Sequence, residues 1–414
     1  MRVTDLRATP VAIADPPLRS AFGLHAPFAL RTIVEVDTDE GVVGVAETYG
    51  GDAPLRALDA ARALVIGRDA YRLTPLRVEL DAARGPAEER PWEARGFAAP
   101  ALFSAIEVAC LDAIGRQTGR PVCDLLGGRV RDEIPFSAYL FFKHAGDDEW
   151  GEVMSAEALV GEARHMRERY GFGSLKVKGG VLEPDREVAA MRALREAFGP
   201  TVPLRLDPNA AWSVATSTRI AEELAGTLEY LEDPTPGLDG MAKVAERSPI
   251  PLATNMCVTA FEHLPAAVAK RSISIVLSDH HMWGGMRATV ELGRLCRVFG
   301  LGVSMHSNSH LGISLAAMTH VAAAVPELTY ACDTHYPWQT DEVITGGKLR
   351  FHDGALPCRR DPVSGWSWTA MRWRGCTSGT AGPTSATATT WRRCGRPIRT
   401  GARTLATGER TGVL

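Results

Sequence analysis

The 414-residue chain has no apolar run long enough for a bilayer-crossing helix, which needs about 18 residues. Its N-terminus carries Asp5 and Asp15 and lacks the apolar block of a signal peptide. The eight cysteines contain no Cys-x-x-Cys pair and no even spacing, so neither a zinc site nor a disulfide framework is indicated. A Gly-rich dinucleotide-binding turn is missing, and so is the early His-x-His of a zinc amidohydrolase barrel. A formal net charge of −3 offers nothing to a polyanion. These absences point to a cytoplasmic protein with no nucleic acid and no membrane among its partners. What is present is ordinary for a globular chain, with 45% hydrophobic and 23% charged residues.

The charge balance hides an asymmetry. Residues 358–414 hold ten Arg, no Lys, and only Asp361 and Glu409, a net of +8, which leaves −11 for residues 1–357. The same stretch holds three of the eight Cys and four of the nine Trp. Its Arg residues lack helical or aromatic organisation, so they do not read as a nucleic-acid surface. The composition is that of GC-rich DNA read out of frame, and residues 351–414 are expected to form an atypical, irregular tail.

The rest of the chain divides by periodicity. Residues 1–50 read as strands and turns, with Thr32–Asp37 alternating and Asp39-Glu40-Gly41 turning into Val42–Ala46. Residues 54–125 carry helical spacing, clearest over Ala105–Ile114. Together, residues 1–130 form an expected α+β capping domain. From about residue 134, eight short apolar runs alternate with helical stretches such as Asp185–Phe198, Thr216–Ala225 and Arg287–Val298. Strand then helix, repeated eight times, predicts a (β/α)₈ barrel over residues 131–350.

Seven of the runs end in a reactive polar side chain: Lys178, Asp207, Glu232, Asn255, Asp279, His306 and His335. Their spacing of 23 to 29 residues is that of one β/α unit. Any one alone would pass as a turn or helix cap. In a barrel, however, the C-terminal strand ends meet at one mouth, so the set predicts an active site. Asp207, Glu232 and Asn255 are hard oxygen donors without Cys or His, which suits Mg²⁺. Lys176 and Lys178 alternate about Val177 and share the inward face, where two ammonium groups disfavour each other's charge and favour a base. His306 pairs with Asp279 on the preceding strand, a carboxylate that fixes one imidazole tautomer. This combination suits removal of a proton α to a metal-held carboxylate, through an enediolate. Two opposed bases would epimerise. A base and an acid with a β-hydroxyl would dehydrate.

These residues and their surroundings resemble the enolase superfamily, in its mandelate racemase-like branch and the glucarate dehydratase group within it. The matching stretches include Gly23–Phe28, Ser137–Phe142, Tyr170–Val181, Leu206–Trp212, Glu232-Asp-Pro234, Ala253–Met256, His306–His310 and Asp333-Thr-His335, and they span residues 20–340. The resemblance implies a lyase that eliminates water from a glucarate-type acid sugar, with Lys178 and His306 as acid/base residues and Asp279 orienting His306. Lys176 would lower the Lys178 pKa and touch the substrate carboxylate. Mg²⁺ would sit on Asp207, Glu232 and Asn255, with His25, Tyr139, Asn209, Ser307, Asn308 and His335 contacting substrate. The other readings are an epimerase or racemase on similar acids, and an impaired homologue that only binds them. A homo-oligomer is expected. Three departures stand out: Gly96–Pro100 where the family carries a substrate Thr, His280 in place of a Pro, and no recognisable C-terminal segment supplying a substrate Arg.

Overall fold

The structure is a computed structural model that describes residues 1–83, 99–358, 391–393 and 396–398. The chain opens with β1 (Val3–Ala14), a small hairpin of β2 (Arg19–Ser20) and β3 (Gly23–Leu24), then β4 (Phe28–Thr38) and β5 (Val43–Tyr49). β1, β4 and β5 form an antiparallel sheet in that order. Among the described residues four helices follow: α1 (Asp52–Val65), α2 (Leu73–Ala83), α3 (Ala99–Thr118) and α4 (Val122–Leu125).

Both faces of this sheet are covered. Val34 and Val36 join the main core with Leu58, Ile106 and Leu111, while Ile33, Val11 and Ile13 pack against Leu311, Ile313 and Ile344 on the other side. α3 lies so close to β5 that a Cβ on Gly44 would stand 1.9 Å from the Ala109 carbonyl oxygen, so glycine is required there.

The barrel runs β6 (Glu133–Phe141), α5 (Ala156–Tyr170), β7 (Ser174–Lys178), α6 (Pro184–Phe198), β8 (Leu204–Asp207), α7 (Val214–Glu223), β9 (Tyr230–Glu232), α8 (Gly237–Ala245), β10 (Leu252–Thr254) and α9 (Leu264–Lys270). It continues through β11 (Ile275–Ser278), the single turn α10 (His280–Trp283), α11 (Met286–Phe299), β12 (Gly302–Met305), α12 (Gly312–Ala324) and β13 (Cys332–Thr334). All eight anticipated strands are present and pair in parallel, in the order β12-β11-β10-β9-β8-β7-β6-β13. Closure between β12 and β13 is partial: Thr329 and Tyr330 N–H both donate to the Val303 carbonyl, at 3.0 and 3.2 Å.

Local chemistry sets the helix ends. Ser155 and Ser213 accept from the third backbone N–H of α5 and α7, and Pro184 starts α6. Gly171 and Gly300 end α5 and α11 in the left-handed region, at φ 76° and 69°. α12 is buried along its whole length, as a helix apolar on all sides should be.

Two capping-domain carboxylates hold barrel helices by their N-termini. Glu107 accepts from Met286 N–H at 2.7 Å at the start of α11, and burial raises its pKa to about 7. Glu47 accepts from Leu311 and Ser314 N–H at 2.9 Å at the start of α12, and pairs with buried Arg31 at 2.7 Å. Orphan N–H groups and the helix dipole favour an anion at both places.

The anticipated irregular tail needs a partial correction. Ala355–Pro357 form β14, which pairs antiparallel with the start of β6. Trp391–Arg393 form β15, parallel to β1, and Arg396–Ile398 form β16 beside it. The free edge of β1 offers unpaired backbone groups that recruit a strand. The remaining tail residues, and Gly96 to Ala98 of the replaced Thr segment, lie outside the described residues.

Candidate active site at the barrel mouth

Strand register assembles the centre. Lys178 on β7 lies opposite Asp207 on β8, and Tyr139 on β6 opposite Lys176 on β7. Both lysines point inward, as alternation requires. Lys178 Nζ is 2.5 Å from Asp207 Oδ2 and 3.4 Å from Asn209 Oδ1. Lys176 Nζ is 2.5 Å from Glu232 Oε2, 2.7 Å from Asp333 Oδ2 and 3.6 Å from Asp207 Oδ2.

Lys176 is held in its charged form. Burial lowers its pKa, but Asp333, Glu232, Tyr139 and Asp207 outweigh burial and raise it well above the ordinary lysine value. Asp207 is held ionised: burial opposes, and Lys178 and Lys176 prevail. Glu232 is pushed well above the usual carboxylate range by burial and by the Asp207 charge.

The donor set fits a hard divalent cation. Asp207, Glu232 and Asn255 are buried at the ends of β8, β9 and β10. Both Glu232 oxygens and Asn255 Oδ1 lack a hydrogen-bond donor, although Lys176 lies close enough to Glu232 to form an ion pair. Orphaned buried acceptors are costly, and a cation facing all three would satisfy them. Asp233 orders this rim by accepting from Asn255 N–H at 2.8 Å and Thr254 Oγ1 at 2.5 Å. Asn209, Ala210 and Asp233 all sit at positive φ, 50°, 61° and 36°, strain of the kind concentrated at functional sites.

A second candidate unit stands just past the ends of β11 and β12. His306 Nδ1 meets Asp279 Oδ2 at 3.1 Å, and Asp279 Oδ1 meets His281 Nδ1 at 2.8 Å and its backbone N–H at 2.9 Å. The Asp279 carboxyl is fully buried, yet His281 and His306 hold it well below its ordinary pKa. Burial and the neighbouring His281 push His280 and His310 well below the usual imidazole value. The two units are tied together: Tyr139 Oη donates to Asp333 Oδ2 at 2.8 Å and reaches the Ser307 carbonyl at 3.3 Å.

The anticipated substrate contacts surround these groups. Asn209 N–H donates to Asp207 Oδ1 at 3.0 Å. Asn308 Oδ1 accepts from Arg31 at 3.2 Å, and Ser307 Oγ donates to the Asn308 carbonyl at 3.0 Å. His25 and His335 stack with centroids 6.0 Å apart, and Phe141 lies edge-on to both.

Sequence reasoning missed three supporting residues. Asp15 bridges the two imidazoles, 3.0 Å from His25 Nδ1 and 3.2 Å from His335 Nε2, and its pKa falls to about 2 because these donors outweigh burial. Asp333 anchors Lys176 and Tyr139. Tyr49 of the capping domain donates to Asp279 Oδ2 at 3.4 Å. Asp333 was findable, since it stands two residues before His335 in the matching stretch Asp333-Thr-His335. Asp15 and Tyr49 come from the capping sheet, and no strand-end periodicity points to them.

Comparison with known proteins extends this picture. Residues 4–127 match the mandelate racemase / muconate lactonizing enzyme N-terminal domain, and residues 158–369 match the enolase C-terminal domain-like family. A probable glucarate dehydratase of Streptomyces coelicolor is 48% identical over 377 residues, covering 85% of this chain and 87% of that protein. An enolase of Thermobispora bispora solved with magnesium and formate is 50% identical, with a TM-score of 0.85 over 91% of this chain and 94% of its own. An enolase of Pseudomonas fluorescens solved with magnesium, potassium and tartrate is 48% identical, with a TM-score of 0.84 over 91% and 93%.

Proposed function

Because the chain belongs to the enolase superfamily, in the branch of mandelate racemase and muconate lactonizing enzyme, we propose that it is a Mg²⁺-dependent dehydratase of glucarate-type acid sugars. The observation that carries this reading is the pair of separate proton carriers, Lys178 on Asp207 and His306 on Asp279, joined to one buried set of oxygen donors. The Streptomyces relative bears a glucarate dehydratase name, and the Pseudomonas relative holds tartrate, a hydroxy diacid, together with magnesium.

Asp207, Glu232 and Asn255 would hold the ion, which when bound stabilises the negative charge that develops on a substrate carboxylate. Lys178 Nζ takes the proton from the carbon α to that carboxylate. The C–H electron pair passes into the carboxylate. His306, its Nδ1 fixed by Asp279, uses Nε2 to protonate the β-hydroxyl, which leaves as water. The enol ketonises and gains one solvent proton at the new methylene, giving a 2-keto-3-deoxy acid. Lys176, kept cationic by Asp333 and Glu232, faces the developing charge. Asn209, Asn308, Ser307, Tyr139 and the His25–His335 pair hold the polyol and its distal end.

A keto-acid assay across a panel of sugar diacids with Mg²⁺ tests the reading. Release of keto acid by the wild type, abolished in Lys178→Ala and His306→Ala with folding retained, is expected. Solvent exchange at the α carbon without keto acid would instead mark an epimerase. No reaction with any diacid at saturating Mg²⁺ would sink both.

A further inference from the structure

Although cysteine spacing indicates no metal motif, the fold brings Cys123, His320 and Cys358 together at the far end of the barrel from the active site. Cys123 lies on α4 and His320 on α12, and Cys358 directly follows β14. β14 pairs with Glu133–Pro135, the first residues of β6, and Cys358 N–H donates to the Asp132 carbonyl. The strand C-termini carry the catalytic groups, so this cluster stands at the opposite face, where barrels carry stability rather than chemistry.

The geometry is that of a tetrahedral soft-metal site. The two sulfurs are 3.6 Å apart, Cys358 Sγ is 3.6 Å from His320 Nδ1, and all three donor atoms lie within 4.8 Å of one another. Zinc bonds of about 2.3 Å to sulfur and about 2.0–2.1 Å to nitrogen, at tetrahedral angles, place two thiolates about 3.8 Å apart and a thiolate and imidazole about 3.6 Å apart. The observed separations match both. Two thiolates and an imidazole form a donor set that favours zinc over magnesium. All three residues are buried. His320 also lines a cleft of about 450 Å³, together with Leu356 and Pro357, the two residues before Cys358.

We propose that Cys123, His320 and Cys358 bind one Zn²⁺ that joins the capping domain to the base of the barrel, with the fourth position taken by water or by Asp124, whose Oδ1 is 4.0 Å from the Cys123 sulfur. The three ligands come from segments far apart in sequence, with Cys358 lying 235 residues from Cys123 and 38 from His320. The ion therefore closes long loops, the arrangement in which a cross-link constrains the unfolded chain most.

Cobalt substitution tests the proposal independently of turnover. The full-length protein, reduced and freed of metal, is titrated with Co²⁺ in the presence of excess Mg²⁺. One equivalent is expected to produce sulfur-to-cobalt charge-transfer absorption and the intense visible bands of a tetrahedral ion. Added Zn²⁺ should displace it and raise the melting temperature. Cys123→Ser and His320→Ala should each weaken Co²⁺ binding by tenfold or more while Mg²⁺-dependent activity remains. Glu232→Gln, in the oxygen-donor site, should leave the charge-transfer band unchanged. Wild-type protein with both thiols free and no such band at saturating Co²⁺ would overturn the proposal. So would recovery of a Cys123–Cys358 disulfide from protein isolated without oxidant.

Discussion

Replacing Asp279 with Asn separates the two proton transfers. Asp279 Oδ1 accepts from the His281 backbone N–H at 2.9 Å and faces His281 Nδ1 at 2.8 Å, while Oδ2 faces His306 Nδ1 at 3.1 Å and the Tyr49 hydroxyl at 3.4 Å. An amide must keep its oxygen toward the backbone N–H, so its NH₂ turns toward His306 and Tyr49. His306 then loses its acceptor and its preferred tautomer. A hydrogen bond to a charged group is worth about 1.5–3 kcal/mol net, which corresponds to about 10–150-fold in rate. Asp279→Asn should therefore lower kcat for dehydration by about 10–150-fold, with KM little changed, since Asp279 itself holds no substrate. Lys178 and Asp207 are untouched, so exchange of the α proton with D₂O should continue. The assay is keto-acid release alongside deuterium incorporation into recovered substrate. Wild-type dehydration, or loss of exchange in parallel with dehydration, would refute the assignment of separate roles.

Other consequences can be measured on the same protein. His280 and His310 are buried with pKa values well below the ordinary 6.5, so the unfolded chain binds protons that the folded one does not. Stability should consequently fall as pH drops below about 6.5, with each group contributing a slope of about 1.4 kcal/mol per pH unit. His280→Pro, at a helix N1 position that suits proline, should flatten the urea-unfolding profile between pH 6.5 and 5. Folding lowers the Asp15 pKa to about 2 from 3.8, a stabilisation of about 2 kcal/mol. It is complete above about pH 4 and lost as pH falls toward 2. Asp15→Asn should therefore be destabilised at pH 7, match the wild type near pH 2, and raise KM for diacids by releasing His25 and His335. Glu232→Gln should weaken Mg²⁺ binding, read by calorimetry, by at least about 10–100-fold, the loss that outer-sphere partners alone can cause.

How much of this was legible before the fold was known depends on periodicity. A β/α unit repeats at nearly constant length, so Lys178, Asp207, Glu232, Asn255, Asp279 and His306 marked strand ends and the barrel together. The same logic covered Lys176, one alternation earlier. It could not reach Asp15 or Tyr49, which enter from the capping sheet across distances set by domain packing. Nor did it pair Lys176 with Asp333, which belongs to β13 and closes on β7 only through β6. The Cys123–His320–Cys358 cluster was invisible for a similar reason: its ligands share no local motif, and only the pairing of β14 with β6 brings the last of them into place.

The most direct measurement is proton NMR of a glucarate-type diacid incubated with the Mg²⁺-loaded protein in D₂O. The account predicts stoichiometric conversion to a 2-keto-3-deoxy acid whose methylene carries one solvent deuterium. Recovery of the diacid unchanged, with Mg²⁺ bound and the protein folded, would contradict it.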